Sequence, residues 1–343
     1  MRYFCEWKQR GLARCRSAGL FYATLRSKWR RQRLLILCYH GVSLHDEYVW
    51  KPTLYVTQAH LERRLGMLRR EGYHIIGLGQ AIRLLYAGEL PERSIVMTFD
   101  DGSHDFYESA YPVLSTYQVP TTVYLTSYYC SRSFPVFGQI CSYMLWKARG
   151  RSFSFPELFL QDRDLTHPAE RDAIRTRLLN YAAARRLSAE DQNELARTLA
   201  LRLDLDYPAL LRSRILQLMS PAEIASLASQ GVDFQLHTHR HRVPRDRSAF
   251  EREIEENRQW ILQTTGVSPT HFCYPSGSVD PMFLPWLRQL RIASGTTCEP
   301  GCASNDQDPL LLPRFQDSSL VSDTEFEGWI TGFIPFARKA LWM

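Results

Sequence analysis

The sequence predicts an α/β protein with parallel strands, and three observations carry that class. Short β-rich apolar runs alternate with helical stretches, the order that lays parallel strands under helical crossovers in an open sheet or a barrel. A charged helical stretch over about 141–220 interrupts the alternation, which then resumes, so the second half completes the first. With 343 residues, 45% of them hydrophobic and 23% charged, the chain can bury a substantial core.

The first predicted strand is "LLILCYHGV", residues 34–42, an apolar run ending in a polar turn. "TQAHLERRLGMLRREG" follows as a helix, with Thr57 as N-cap, Leu61, Leu65 and Leu68 on one face, and Gly72 as its stop. "HIIGL" reads as a strand, "GQAIRLLYAG" as a helix, "SIVMTF" as a strand, "SHDFYESAYPVLSTYQ" as a helix and "PTTVYLT" as a strand. After the interruption come the strand "GVDFQL", a helix from Ser248 in which Ser248 and Glu251 fit a capping box, and the strands "HFCYP" and "LRIASGTT". The interrupting stretch reads as a helical insertion, a lid over what the strands present.

The formal charge of +6 is unevenly placed: before residue 34, ten Lys and Arg stand against Glu6 alone. This basic arm, residues 1–33, interleaves aromatic and aliphatic residues, so it suits an anionic membrane surface. Nucleic acid is the rival partner, but no recognised binding motif follows and none is expected. The plainer reading is an N-terminal helix packed on its own domain with solvated arginines. "GLFYATL" is too short for a secretory core and runs into "RSKWRRQR". The expectation is a cytoplasmic protein, peripheral at the inner face of the membrane if the arm binds there. Eight scattered cysteines form no framework and read as reduced, and the "CEPGC" pair has no matching second pair for a metal.

Chemistry concentrates at two strand ends. "SIVMTFDDG" sets Asp100 beside Asp101 with Gly102 to turn the chain away. Successive side chains of a strand point to opposite sides, so one carboxylate can hold a cation while its neighbour faces another atom. Two buried like charges repel, and a metal relieves the conflict; a plain Asp-Gly turn is the bland alternative. "QLHTHRH" puts His237 and His241 four apart, one side of a helical turn, with His239 turned away. Two imidazoles and a carboxylate suit zinc, or cobalt or nickel.

Together, "TFDDG" and the later "HTHRH" resemble the marks of the polysaccharide deacetylase family, the NodB-homology domain, over most of the chain from Leu34 to about Phe315. The resemblance implies an irregular (β/α)7 barrel over residues 34–320, with the helical insertion at about 141–220 and an aromatic tail at 321–343. It implies Asp101, His237 and His241 as ligands of a divalent metal and Asp100 as general base. "FCYPSG" resembles the third motif, whose backbone N–H, here assigned to Tyr274, points at the oxyanion. No histidine follows His271, so the late histidine acid of most members is missing. A branch of the family takes its acid from a "YH" at the first strand end, which makes His40 the candidate. Cys273 stands where the family has an arginine that orients the base; "LLPRF" supplies Arg314 in compensation, with Leu312 lining the acetyl pocket. The implied activity is removal of acetyl from an N-acetylated amino sugar in a glycan or a lipid-linked precursor. An O-acetyl esterase, another small-amide hydrolase, or a non-catalytic glycan binder on the same barrel are the alternatives.

Overall fold

Eight parallel strands form the central sheet: β1 (Leu35–Tyr39), β2 (His74–Ile75), β3 (Ser94–Asp101), β4 (Thr121–Leu125), β5 (Asp233–Leu236), β6 (His271–Cys273), β7 (Ser294–Pro300) and β8 (Leu312–Gln316). Their spatial order runs β1-β8-β7-β6-β5-β4-β3, and β3 pairs back onto β1, so seven strands close a barrel with β2 on the outside of β3. The computed structural model describes residues 2–158 and 160–341; Met1 of the arm, Phe159 of the insertion, and Trp342 and Met343 of the tail lie outside them.

Strand parity sorts the side chains. Leu35, Leu37 and Tyr39, with Ile95, Met97 and Phe99, join the large core under the surrounding helices. Ile36, Val96, Tyr124, Cys273 and Leu312 alternate with these and meet inside the barrel. There they pack on Leu78, Ala81, Ile82 and Leu85 of the helix Leu78–Ala87, which plugs the amino end of the barrel. Parity therefore delivers Cys38, Thr98, Asp100, His237 and Arg314 to the other, open end.

The predicted elements recur with local differences. Thr57 caps its helix by accepting from the His60 N–H. Leu78 starts a helix rather than ending a strand. The predicted 103–118 helix opens as a π-turn over Phe106–Ala110 before the α-helix Tyr111–Thr116. The capping box at Ser248 is not made: Asp246 caps the helix Arg247–Thr265, accepting from Ala249 N–H at 2.8 Å, so the cap falls before Ser248, earlier than the sequence pattern placed it. The insertion forms from residue 137 and has its own core, in which Phe137, Met144, Leu178 and Leu199 pack with Tyr55. It is not wholly helical, since Ser152–Phe155 and Leu160–Asp164 pair as an antiparallel hairpin.

The basic arm folds onto the tail. The helices Arg2–Ser17, Leu20–Leu25 and Lys28–Arg31 meet the helices Asp323–Ile330 and Phe333–Leu341 through Lys8–Glu325 at 2.5 Å, Arg16–Glu327 at 2.8 Å and Phe21–Phe333 rings 4.9 Å apart. Arg30 is buried there and donates to the Ile330 and Arg33 carbonyls. Among the described residues no helix is long and apolar enough to cross a membrane. The cysteines with described side chains, Cys15 to Cys302, are all free thiols.

One buried network ties this outer layer to the barrel. Just past β8, Asp317 accepts from the Tyr39 hydroxyl at 2.9 Å and the Arg64 guanidinium at 2.9 Å, with His60 Nε2 at 3.0 Å. Burial alone would raise the Asp317 carboxyl, but His60 and Arg64 hold it below its ordinary value. A depressed folded-state pKa gives stability that is present above the unfolded value of about 3.9 and is lost as pH falls through the folded one. Asp317→Ala leaves Arg64 buried with Asp323 and the Val321 carbonyl, and leaves the Tyr39 hydroxyl and His60 without their acceptor, so urea unfolding at pH 7 is expected to show a loss of about 1–3 kcal/mol. The variant's stability should also fall less steeply than the native protein's below about pH 4; a loss under about 0.5 kcal/mol would show that the network holds little.

Candidate active site

The site forms where β3, β5 and β8 end. Asp100 follows strand parity into the barrel and is 2% exposed. Arg314, two residues after Leu312 on the same face of β8, meets it with both prongs: Nη1 to Oδ1 and Nη2 to Oδ2, each 2.7 Å. The guanidinium also donates to the Thr297 carbonyl at 3.0 Å, so it is fixed from behind. Burial alone would raise the Asp100 carboxyl; the Arg314 charge overrides it and holds the group well below the usual carboxylate range. The Cys38 and Cys273 thiols each approach Oδ2 at 3.6 Å. Burial pushes the Cys38 thiol far up, so it stands there as a neutral donor.

Asp101 breaks the parity. As the next residue it belongs outside the barrel, but its φ of 72° swings the carboxylate over the open end. Gly102 continues the turn at φ 81°, and a Cβ there would lie 2.2 Å from Leu125 Cδ1, so only glycine fits. Asp101 Oδ1 lies 3.3 Å from His237 Nε2 and 3.4 Å from His241 Nε2. Burial raises this carboxyl, the two imidazoles lower it, and the lowering prevails.

The two histidines are not on a helical turn as their spacing suggested. The segment is an irregular loop in which Thr238 and His241 are left-handed, φ 61° and 56°, and this brings the rings to 4.9 Å between centroids. His239 does turn away, to Ser127 Oγ at 2.9 Å. His237 Nδ1 faces the Cys273 carbonyl at 2.9 Å, which fixes Nδ1 as a donor and leaves Nε2 for Asp101. Sequence reasoning missed what holds the loop. Asn257, fully buried on the 247–265 helix, accepts from the His237 N–H at 3.0 Å and donates to the Leu125 carbonyl and Ser127 Oγ. One turn before it, Glu253 accepts from the Arg240 N–H at 2.7 Å. The signal was present: two polar residues four apart on the helix face otherwise made by Phe250, Ile254 and Ile261.

The remaining assignments divide. His40 stands at the mouth with Nε2 3.8 Å from Asp100 Oδ2, and its Nδ1 has no partner among the described residues, so it is not tied to a backbone carbonyl there. Arg314 reaches Asp100 as expected, but Leu312 is buried in the plugged interior, in the cluster that packs on the 78–87 helix. Tyr274 is a correction: its N–H is engaged in the ladder with the Thr296 carbonyl at 3.1 Å, and its hydroxyl donates to Leu310. Two residues on, Ser276 is exposed with φ 54°, and its N–H has no acceptor among the described residues.

Among the described residues three donor groups lie close enough to share a cation: Cys38–His40–Asp100, Asp100–His237–Cys273 and Asp101–His237–His241. The first two use Asp100, whose oxygens Arg314 already occupies, and a thiol. The third fits best, because tetrahedral ligands at ordinary zinc bond lengths stand about 3.4 Å apart and, among the described residues, no Arg or Lys forms an ion pair with Asp101. It opens on a cavity of about 280 Å³ lined by Asp101, His241, Thr126, Tyr129 and Tyr55.

A closed parallel barrel presenting a clamped carboxylate beside a carboxylate–imidazole set at its open end defines a (β/α)7-barrel hydrolase. The sequence profile described as Polysaccharide deacetylase matches residues 87–172 and 182–294, more than half of the chain, and the chain belongs to that family. Over 94 residues it is 32% identical to the poly-β-1,6-N-acetyl-D-glucosamine N-deacetylase of Escherichia coli, 27% of this chain and 14% of that protein. The Staphylococcus aureus (strain MSSA476) protein of the same name is 30% identical over 70 residues, 20% of this chain and 24% of that one. The matches thus span under a third of these relatives' lengths. Among solved structures, the Streptococcus pyogenes deacetylase PplD in complex with acetate superposes with a TM-score of 0.58 at 18% identity, covering 87% of this chain and 98% of that one. IcaB from Ammonifex degensii gives 0.54 at 17%, covering 87% and 97%. At such identities the likeness is one of fold.

Asn257→Ala would strip the His237 loop of its anchor and leave buried backbone groups unpaired, a loss of about 1–3 kcal/mol in urea unfolding. The site's affinity for zinc should fall with it, by at least about tenfold, in a competition titration on the folded variant. Unchanged zinc affinity would show that the loop holds its shape without the helix.

Proposed function

We propose that the protein is a divalent-metal hydrolase that removes acetyl from an N-acetylated amino sugar of a polysaccharide or a lipid-linked glycan precursor. The observation that carries the proposal is the division of labour at the end of β3: Asp100 clamped by Arg314, Asp101 open beside His237 and His241. The names of the family and of the relatives support the substrate class. A divalent ion on Asp101, His237 and His241, zinc or else cobalt or nickel, supplies a Lewis acid for the acetyl carbonyl and acidifies a water.

The rest falls to the chain. Asp100 takes the proton from the attacking water as the new C–O bond forms. Arg314 holds both carboxylate oxygens in one plane, which keeps Asp100 ionised and makes it a weak base, ready to release that proton again. The Ser276 N–H, rather than that of Tyr274, is the free backbone donor for the oxyanion. His40 stands at 3.8 Å from Asp100, positioned to protonate the amine as the C–N bond breaks. Acetate and a free amino sugar leave. Peripheral membrane contact through the arm belongs to the same proposal, since its first helix keeps Trp7 and Arg14 exposed on the face away from the tail.

Acetate release from N-acetylated glucosamine oligomers tests the reading: the native protein should release acetate, and Asp100→Asn should lose at least about a hundredfold in turnover. No release from any N-acetylated amino sugar by metal-loaded protein would sink it. His40→Ala should harm amide cleavage at least about tenfold more than cleavage of an O-acetyl ester, whose alkoxide needs less acid help. Equal losses on the two substrates would remove His40 as the amine's proton donor.

A further inference from the structure

The cavity beside Asp101 is not closed. It shares Tyr129, Val136, Arg240 and Arg242 with a larger cavity, about 520 Å³, that runs along the seam between the barrel and the 137–216 insertion. One groove therefore leads from the acetyl position away under the insertion. The seam's lining holds three arginines, Arg132, Arg240 and Arg242, and no Asp or Glu. Arg240 is committed to Glu253 and Glu256, at 3.1 and 2.5 Å. Among the described residues neither Arg132 nor Arg242 has an ion-pair partner. The Arg132 guanidinium lies over the Tyr128 ring, 3.9 Å from its centroid, with Nη1 donating to the Tyr128 carbonyl at 3.4 Å, which leaves Nε and Nη2 for a ligand. The Arg242 side chain is exposed, while its backbone N–H is bonded to Thr238 Oγ1 at 3.0 Å, in the same loop as His237 and His241.

We infer that this seam is a substrate subsite, and that Arg132 and Arg242 bind a phosphate-bearing extension of the acetylated sugar. Planar guanidiniums lining a cavity without a competing carboxylate suit the oxygens of a phosphate, which they grip in pairs. A neutral glycan would leave both facing no ligand. Beyond the arginines the seam is walled by Phe134, Phe137 and Tyr207, with the alanines of the insertion helices between them, so the chain past the phosphate meets aromatic and apolar surface. A phosphodiester within a glycan and the phosphate joining a sugar to a lipid share this chemistry. The inference rests on the deacetylase reading and adds to it what the insertion is for: its helices form the second wall of the groove.

The test is calorimetric titration of the metal-loaded full chain with N-acetylglucosamine 1-phosphate and with neutral methyl N-acetylglucosaminide, acetate release being followed in parallel. The native protein should bind the phosphorylated sugar at least about tenfold more tightly, or about 1.4 kcal/mol. The double variant Arg132→Ala, Arg242→Ala should lose that preference and keep its affinity for the neutral sugar. Arg242→Gln, at an exposed position, should lose it in part and serves if the double variant folds poorly. Equal native affinities, or a preference that survives the substitutions, would overturn the subsite whatever acetate release shows. A phosphate preference without acetate release from either sugar would support the subsite and count against the deacetylase reading. A further gain with a short prenyl phosphate-linked sugar assigns the phosphate to a lipid carrier; no gain assigns it to a phosphoglycan.

Discussion

The Arg314–Asp100 pair inside the barrel is the interaction on which the site depends. A carboxylate with almost no exposure cannot stay ionised unless a cation is fixed against it, and a second carboxylate follows one residue later. The fold separates the two demands. Arg314 crosses the barrel interior to take both oxygens of Asp100, and Asp101, turned the other way by a left-handed backbone, faces two imidazoles. Each charge has its own partner, so Asp101 remains free for a metal while Asp100 remains ionised beside it. Cys273 permits this arrangement: an arginine on β6 would compete for the space that the β8 guanidinium fills, whereas a thiol fits against Arg314 Nη2 at 3.1 Å.

What surrounds that pair is rigid for identifiable reasons. The 78–87 helix seals the far end of the barrel with aliphatic side chains, so the ion pair sits over an apolar floor. The histidine loop has two residues in left-handed conformations, a costly backbone that persists because the 247–265 helix pins it through Asn257 and Glu253. The insertion lines one side of the mouth and has its own core rather than extending the barrel's. Precision at the site thus comes from strand parity for Asp100 and Arg314, and from side chains beneath the loops for His237 and His241.

Much of this was legible in the sequence, because strand periodicity and motif spacing are local. The alternation announced parallel strands, "TFDDG" and "HTHRH" announced the site, and the missing arginine at Cys273 directed attention to Arg314. The rest depended on facts that spacing does not carry. A four-residue separation reads as a helical turn unless it is known that Thr238 and His241 are left-handed. Whether a backbone N–H is free depends on the neighbouring strand, and Tyr274 loses its N–H to β7 while Ser276, past the strand end, keeps its own. Asn257 acts through a contact twenty residues away in sequence, so only its polarity on an apolar helix face could have marked it. The hairpin in the insertion was hidden by the charged helices on either side.

The central claim is the division of labour between adjacent aspartates, and metal content measured on Asp100→Asn and Asp101→Asn, each purified without chelator and confirmed folded, addresses it most directly. The account predicts that Asp100→Asn keeps about one equivalent of divalent metal, like the native protein, and that Asp101→Asn keeps little. Loss of metal from Asp100→Asn with retention by Asp101→Asn would contradict it, and would assign the metal to the residue that Arg314 clamps.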